Sequence, residues 1–214
     1  MIALIDYGAG NLTSVKKALA SLGAEFTVPD TPADCQAVAG VIVPGVGHFS
    51  ATTALSAPWR QAITRAVDSG TPLLGICVGM QWLYEGSEEA PDVPGLGVLS
   101  GRCQLLKGNA MQRLKIPHVG WNALVPASPE PSSGEGGPPA FTGRLLAGLP
   151  PDAHVYFTHS FAAPVTADCV ASTTHADCFA AVVERDNVFG VQFHPEKSAD
   201  AGLLILGNFL EFCR

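Results

Sequence analysis

A cysteine framed by two glycines follows an apolar run in the segment Leu73-Leu74-Gly75-Ile76-Cys77-Val78-Gly79. The apolar run predicts a buried strand, and the residues that follow have the pattern of a helix. Glycines placed two residues before and after a nucleophile let the backbone turn tightly between the two elements and leave room for a substrate. The segment therefore predicts a strand that ends by presenting the Cys77 thiol as a nucleophile.

Strands and helices alternate over the first third of the chain, and short strands follow later. The predicted strands are 2–5, 25–28, 41–43, 71–76, 121–125, 154–157, 169–173, 179–183 and 188–193, and the predicted helices are 12–22, 59–67 and 198–212. The early alternation favours a parallel sheet, whereas the short later connections favour antiparallel pairing. We expect an α/β fold with a mixed, largely parallel central sheet, helices around it and an antiparallel section.

The length of 214 residues suits one domain. Residues 126–139 are rich in proline, glycine and serine, a composition that does not hold regular structure. Because predicted strands resume on both sides, we expect a single domain over 1–214 with a mobile loop at about 126–140. A domain boundary in that loop is the alternative.

Composition excludes several classes of function. A net charge of −7 and the lack of clustered Lys and Arg argue against nucleic acid as a partner. The sequence has no apolar run of the roughly 18 residues that a membrane span requires. The first residues lack the basic region of a signal peptide, so we expect a cytoplasmic protein.

The motifs for common cofactors and metals are also missing from the sequence. Six cysteines without a C-x-x-C pair indicate neither a zinc site nor a disulfide framework. The segment 6–11 resembles half of a dinucleotide fingerprint, but Thr13 stands at the third glycine position, and no Walker loop occurs. We expect no cofactor and no metal.

An imidazole and a carboxylate near the C-terminus can activate the thiol. His194 and Glu196 are two residues apart in Phe193-His194-Pro195-Glu196, directly after a predicted strand. A thiol needs a base within reach, and the base needs a group that orients it. Alternatively, Glu196 is a carboxylate at the first turn of a helix, where the helix dipole favours negative charge. The leading interpretation is a Cys77-His194-Glu196 acyl-transfer site.

Two further features fit acyl transfer. The segment Pro44-Gly45-Val46-Gly47 follows a predicted strand and offers main-chain donors for a tetrahedral oxyanion, with the Val78 N–H as the second donor. Gln81 lies four residues beyond Cys77, hence on the same helix face, where its amide can hold the polar end of a substrate. A plain loop and a surface glutamine are the alternatives.

With these residues placed, the chain resembles the class I (triad-type) glutamine amidotransferases, and among them the family of glutaminase subunits of imidazole glycerol phosphate synthase. The motifs that carry the resemblance are DYGAGN at 6–11, PGVG at 44–47, GICVGMQ at 75–81, PHVGWN at 117–122, YFTHS at 156–160 and QFHPEKS at 192–198. The resemblance spans almost the whole chain.

The resemblance implies a role for each matching position. It makes Cys77 the nucleophile, His194 the general base and then acid, and Glu196 the group that orients His194. It implies oxyanion donors at Gly47 and Val78, and glutamine-binding residues at Gln81, Ser160 and Phe161. The substrate is then glutamine, which is hydrolysed to glutamate and ammonia through a cysteinyl thioester.

The resemblance also implies a partner. A glutaminase fills the entire chain, so we expect the acceptor of the ammonia to lie on another polypeptide. The resemblance identifies that partner as a (β/α)₈-barrel cyclase subunit in a heterodimer. The residues that it places at the interface are Asn11, Pro117, His118, Trp121, Asn122, Tyr156 and Lys197.

Two alternatives remain at this stage. A glutaminase subunit of another synthase, in pyridoxal phosphate or purine synthesis, keeps the same triad with another partner. A non-catalytic domain of the same fold, in which Cys77 is merely oxidisable, leaves His194 and Glu196 without a purpose.

Overall fold

The computed structural model describes residues 1–35, 37–107, 114–127 and 140–214. Within these ranges the strands are β1 (Ile2–Leu4), β2 (Phe26–Thr27), β3 (Gly40–Gly45), β4 (Leu73–Cys77), β5 (Gly86–Ser87), β6 (Ala90–Pro94), β7 (Arg102–Leu105), β8 (His118–Ala123), β9 (Val125–Pro126), β10 (His154–His159), β11 (Phe161–Ala162), β12 (Cys169–His175), β13 (Asp177–Arg185) and β14 (Val188–Val191). The α-helices are α1 (Leu12–Ser21), α2 (Ala57–Asp68), α3 (Val78–Leu83) and α4 (Ala199–Phe212), and the 3₁₀ helices are Pro32–Cys35, Phe49–Ala54, Arg144–Leu146 and Pro195–Lys197.

A mixed sheet organises the molecule. In the described residues its strands lie in the order β2-β1-β3-β4-β14-β13-β12-β9. The five strands from β2 to β14 are parallel, and β13, β12 and β9 continue the sheet in antiparallel pairing. The predicted fold class is therefore confirmed. The strands β3 and β4 are buried along their whole length, as parallel strands between layers require.

Strand β4 lies in the middle of the parallel section. It pairs on one side with β3, which aligns Gly45 with Cys77, and on the other side with β14, which aligns Val191 with Ile76. The carboxyl ends of parallel strands meet at one edge of a sheet, and ligands bind there. The register thus brings the segments after β3, β4 and β14 to the same edge.

Two smaller sheets complete the described part of the chain. The strands β8 and β10 form an antiparallel pair that aligns Trp121 with Tyr156. The other sheet has the order β11-β7-β5-β6. Its strands were not predicted from the sequence, because β5 and β11 have only two residues each and show no periodicity.

The helices differ slightly from their predicted bounds. Helix α1 ends at Ser21, α2 begins at Ala57, and α4 runs from Ala199 to Phe212, one residue later than predicted at its start. In the described residues no helix has the length and apolar character needed to cross a bilayer. Most of the predicted loop at 126–140 lies outside the described residues.

Candidate active site

The backbone at Cys77 turns sharply between β4 and α3. Cys77 has φ 54° and ψ −111°, a conformation that costs a non-glycine residue about 1–3 kcal/mol and that clusters at functional sites. Glycines make the turn possible: a Cβ at Gly79 would overlap the carbonyl oxygen of Val43, and a Cβ at Gly75 would lie 2.6 Å from the carbonyl oxygen of Gly79. The predicted strand, turn and helix around the thiol are present.

His194 and Glu196 form a buried pair after β14. The Nδ1 atom of His194 lies 2.9 Å from Oε1 of Glu196, and each side chain is only 1% exposed. Pro195 starts the 3₁₀ helix that carries Glu196, so the carboxylate does sit in a first helical turn while it contacts the imidazole. Because Nδ1 contacts Glu196, Nε2 is the ring nitrogen that can exchange a proton with another group.

The charge state of His194 depends on its two partners. Burial alone lowers the pKa of His194, but the interactions with Cys77 and Glu196 outweigh it and raise that pKa to about 10. The Nε2 atom makes no hydrogen bond with any described residue. Nε2 and the Cys77 thiol are therefore not joined by a hydrogen bond in this structure.

The two predicted oxyanion donors flank the thiol. Gly47 follows β3 with φ 87°, and Val78 is the first residue of α3; both line the same small cavity as Cys77. The N–H of the neighbouring Val46 donates to the carbonyl oxygen of Ala9 at 3.1 Å. The DYGAGN segment thus holds the PGVG segment against the sheet edge, a contact that the motifs alone did not indicate.

The cavity beside Cys77 measures about 40 Å³ and is lined by the predicted substrate residues. It contacts Gln81, Ser160 and Phe161 together with Thr158 and His159. Gln81 is 2% exposed, and its Nε2 donates to the carbonyl oxygen of Phe161 at 2.8 Å and to Oε1 of Gln192 at 3.2 Å. The alternative of a surface glutamine is therefore wrong.

Besides Thr158 and His159, the site contains Glu89 and Gln192, which were also not predicted from the sequence. Glu89 lines the cavity, and its carboxylate accepts the backbone N–H of Phe49 at 2.7 Å. Gln192 is fully buried, and its Nε2 lies 3.7 Å from the Cys77 sulfur. Gln192 precedes His194 in the QFHPEKS motif, which was a signal for it; nothing local marks Glu89, since only the long-range packing brings it to the thiol.

The predicted interface residues lie mainly on the β8–β10 pair. Trp121 is 53% exposed and packs edge-on against Tyr156 with 6.1 Å between ring centroids. The Nζ atom of Lys197 lies over the Tyr156 ring at 5.9 Å from its centroid. Asn11 precedes α1 and is half-buried, Pro117 is exposed before β8, and Asn122 is half-buried in β8.

His118 does not lie on that surface. It is only 3% exposed, because the alternation of β8 turns His118 inwards while Val119 and Trp121 point out. The prediction that His118 belongs to the interface is therefore wrong: His118 is buried on the inner side of β8.

Comparison with known proteins identifies the class that has this fold and site. The family model "Glutamine amidotransferase class-I" matches residues 3–211. The chain belongs to this family. A crystal structure described as a glutamine amidotransferase superposes with a TM-score of 0.72 at 19% identity, covering 99% of this chain and 98% of the other, which supports the fold.

Curated relatives refine the assignment. The chain is 44% identical over 213 residues to the imidazole glycerol phosphate synthase subunit HisH of Desulfitobacterium hafniense, with 98% of this chain and 93% of the relative covered. It is 41% identical over 212 residues to the subunit of the same name in Deinococcus radiodurans, with 97% and 92% covered. The resemblance that the motifs indicated is therefore confirmed.

Proposed function

We propose that this chain is the glutaminase subunit of an imidazole glycerol phosphate synthase in histidine biosynthesis. It hydrolyses glutamine to glutamate and ammonia, and the ammonia passes to a separate cyclase subunit, which makes imidazole glycerol phosphate and AICAR from PRFAR. Relatives that are 41% and 44% identical over nearly the full chain carry the name of this subunit. The buried His194–Glu196 pair beside a thiol on a strained turn is the observation that carries the activity.

The first half of the reaction forms a thioester. Nε2 of His194, whose pKa is raised to about 10, holds the proton that leaves the Cys77 thiol, and Glu196 stabilises this imidazolium through Nδ1. The sulfur attacks the side-chain amide carbon of glutamine, and the N–H groups of Gly47 and Val78 stabilise the oxyanion. When the carbon–nitrogen bond breaks, His194 returns its proton to the leaving nitrogen, which departs as ammonia.

The second half restores the enzyme. Water gives a proton to Nε2 of His194 and attacks the thioester carbon, and the same two N–H groups stabilise the second oxyanion. The carbon–sulfur bond then breaks, the proton passes from His194 to the sulfur, and glutamate leaves. Glu196 therefore orients the imidazole in both halves of the reaction. His194 passes its first proton to ammonia and its second to the sulfur, so the site returns to its starting state.

Substrate recognition is assigned to groups that line the cavity. Glutamine carries an α-ammonium, and Glu89 is the acidic residue among those that line the cavity. The N–H of Phe49 holds one oxygen of Glu89 and leaves the other for the ligand. Gln81, Ser160 and Phe161 provide amide, hydroxyl and main-chain groups for the rest of the substrate.

The docking face is assigned to the outer side of β8 and β10. We define this face by its exposed residues Val119 and Trp121 with Tyr156 and Lys197 at its edge. Aromatic residues of this kind are enriched in protein interfaces. The face also adjoins the candidate triad, since the carbonyl oxygen of Tyr156 accepts the N–H of His194 at 2.9 Å. A (β/α)₈-barrel cyclase is the proposed partner.

Labelling tests the activity. An electrophilic glutamine analogue should modify Cys77 in a time-dependent manner, and Cys77→Ala should abolish both labelling and glutamine hydrolysis. Cys178→Ser removes an exposed thiol as the matched control and should preserve both. Continued glutamine hydrolysis by Cys77→Ala would refute the mechanism.

Reconstitution tests the partner. The chain mixed with the barrel cyclase should form a 1:1 complex and release ammonia faster when PRFAR is present. Complex formation with the synthase of pyridoxal phosphate or purine synthesis instead would assign the chain to another pathway. Absence of glutaminase activity in every complex, with an oxidisable Cys77, would favour the sensor alternative.

A further inference from the structure

A continuous hydrogen-bond chain runs from the substrate cavity to Asn122 on the inner side of β8, behind the docking face. It begins at the carbonyl oxygen of Phe161, which accepts from Gln81 Nε2 at 2.8 Å and lies 2.9 Å from Nδ1 of His159. A carbonyl oxygen only accepts, so Nδ1 of His159 must carry a proton. In a neutral imidazole the other nitrogen is then an acceptor.

The next link fixes a second imidazole. Nε2 of His159 lies 3.2 Å from Nδ1 of His118, so His118 must donate through Nδ1. Its Nε2 is then an acceptor, and the amide nitrogen of Asn122 lies 3.4 Å from it. Each ring is therefore restricted to one tautomer by the group before it.

The other end of the chain gives the same direction independently. Oδ1 of Asn122 accepts the N–H of Ala123 at 2.9 Å, and Nδ2 of Asn122 donates to the carbonyl oxygen of Thr174 at 3.1 Å. Backbone groups thus orient the amide so that its nitrogen faces His118. Both ends specify the same proton positions, and no link places two donors or two acceptors face to face.

The surroundings keep both rings neutral and in place. His118 stacks between His175, at 4.1 Å between centroids, and Phe157, at 4.8 Å. Burial, together with the nearby His175, lowers the pKa of His118 to about 4. The pKa of His159 is lowered to about 3, chiefly by burial and also by His118, His175 and His194, while the hydrogen bond to the Phe161 carbonyl opposes the shift. The Nε2 atom of His175 lies 2.9 Å from the carbonyl oxygen of Lys115.

We propose that His159 is a positioning residue for glutamine: it holds the Phe161 carbonyl and the substrate segment, and Asn122, on the inner side of β8 behind the docking face, sets its tautomer through His118. The proposal rests on the proposed function, because it names what orients the substrate segment of that same site. A turn of the Asn122 amide would remove the donor that faces His118. The chain would then transmit that change from the inner side of β8 to the glutamine cavity.

Imidazole ¹⁵N chemical shifts test the tautomers without an activity assay. In the ¹⁵N-labelled full chain we expect His118 and His159 each to carry the proton on Nδ1. Asn122→Asp places an acceptor opposite Nε2 of His118 and should move the proton pattern of that ring, whereas Asn208→Asp, a change at an amide on α4, should leave it unchanged. A proton on Nε2 of His159 in the unaltered chain, or an unchanged His118 pattern in Asn122→Asp, would overturn the proposal.

Labelling of Cys77 by an electrophilic glutamine analogue tests the positioning role. His159→Phe removes the donor, so the half-saturating analogue concentration should rise roughly tenfold, as loss of one hydrogen bond predicts, while the limiting labelling rate changes little. His159→Asn keeps an N–H near the Nδ1 position and should restore most of the affinity. Equal affinity in all three proteins, or equal losses in both variants, would contradict the proposal.

Two outcomes separate this proposal from the proposed function. If the unaltered chain is not labelled at all, the glutaminase assignment fails, and the ¹⁵N shifts still decide the tautomers. If His159→Phe does not fold, His118→Phe keeps a ring in the stack and removes the donor to His159. In His118→Phe we expect His159 to be a mixture of tautomers. If His159 instead kept its proton on Nδ1 alone, the proposed hydrogen-bond chain would be wrong.

Discussion

The backbone N–H of Phe49 donates to Oε2 of Glu89 at 2.7 Å, although forty positions separate the two residues. Phe49 begins the 3₁₀ helix that follows the PGVG segment, and Glu89 lies between β5 and β6. The bond therefore connects the oxyanion segment to the proposed binder of the substrate's ammonium. It holds the Glu89 side chain in place at the cavity, with one carboxylate oxygen accepting a hydrogen bond from the backbone.

Glu89→Gln should weaken glutamine binding, because it removes the negative charge that faces the ammonium. A hydrogen bond to a charged group contributes about 1.5–3 kcal/mol, so KM should rise roughly 10- to 150-fold with a smaller change in kcat. Steady-state glutaminase kinetics of the reconstituted complex measure this. The neighbouring Glu88 is exposed, and Glu88→Gln should leave KM unchanged. Equal KM values in both variants would show that Glu89 does not bind the substrate's ammonium.

Gly79→Ala should disrupt the turn that presents the thiol. The added methyl group overlaps the carbonyl oxygen of Val43, a backbone atom that cannot move without shifting β3. Overpacking of this kind costs about 1–3 kcal/mol or more. We expect a lower free energy of unfolding by urea, and slower labelling of Cys77 in the protein that remains folded.

Gly207→Ala is the matched control for that change. Gly207 lies inside α4, and a Cβ there meets no atom within 4 Å. Because alanine is favoured over glycine in a helix interior, the free energy of unfolding should rise by up to about 1 kcal/mol. If both glycine variants were equally destabilised, the argument from close packing at Gly79 would be wrong.

The central sheet was predictable because its signals are local. The apolar runs before Cys77 and before His194 form β4 and β14, which are buried along their length, and burial on both faces produces a continuous apolar run rather than alternation. The adjacency of β4 and β14 then brings the thiol and the imidazole segment to one edge. The motifs, together with the rule that active-site groups gather at the carboxyl ends of parallel strands, therefore predicted this part of the site.

The rest depends on contacts between distant segments. Glu89 is a polar residue next to short strands, and no periodicity distinguishes it from the exposed Glu88. The inward position of His118 follows from the strand register, since a shift by one residue exchanges the two faces. Sequence patterns specify which residue types a strand carries, but packing decides which of them meet.

Acid should destabilise the protein through the two buried histidines. The pKa values of His118 and His159 are lowered to about 4 and about 3, below an ordinary value of 6.5. Between pH 6.5 and these values the unfolded chain binds more protons, so the free energy of unfolding falls as the pH falls through this window. His159→Asn should make the fall shallower by at most about 1.4 kcal/mol per pH unit. Urea unfolding at pH 4.5 and pH 7 measures the slope, and identical slopes would contradict neutral burial of His159.

Raising the pH should also lower the free energy of unfolding, here through His194 and its partner Glu196. The pKa of His194 is raised to about 10, so between pH 6.5 and 10 the native state keeps a proton on this ring that the unfolded chain loses. The stabilisation from this group is complete below pH 6.5 and is lost as the pH rises through 10. Glu196→Gln removes one of the two groups that raise this pKa, so unfolding free energy should decline less steeply from pH 7 to pH 9 than in the unaltered chain.

The same variant should lower kcat by about two to four orders of magnitude, because the imidazole loses the partner that orients it and stabilises its charge. Glu211→Gln changes an exposed carboxylate that pairs with Arg214 on the last turn, and it should alter neither kcat nor the pH dependence of unfolding. The two readouts must change together, since both follow from the 2.9 Å contact with Nδ1. A large loss of kcat with a pH profile parallel to that of the unaltered chain would show that Glu196 acts in some other way than through His194.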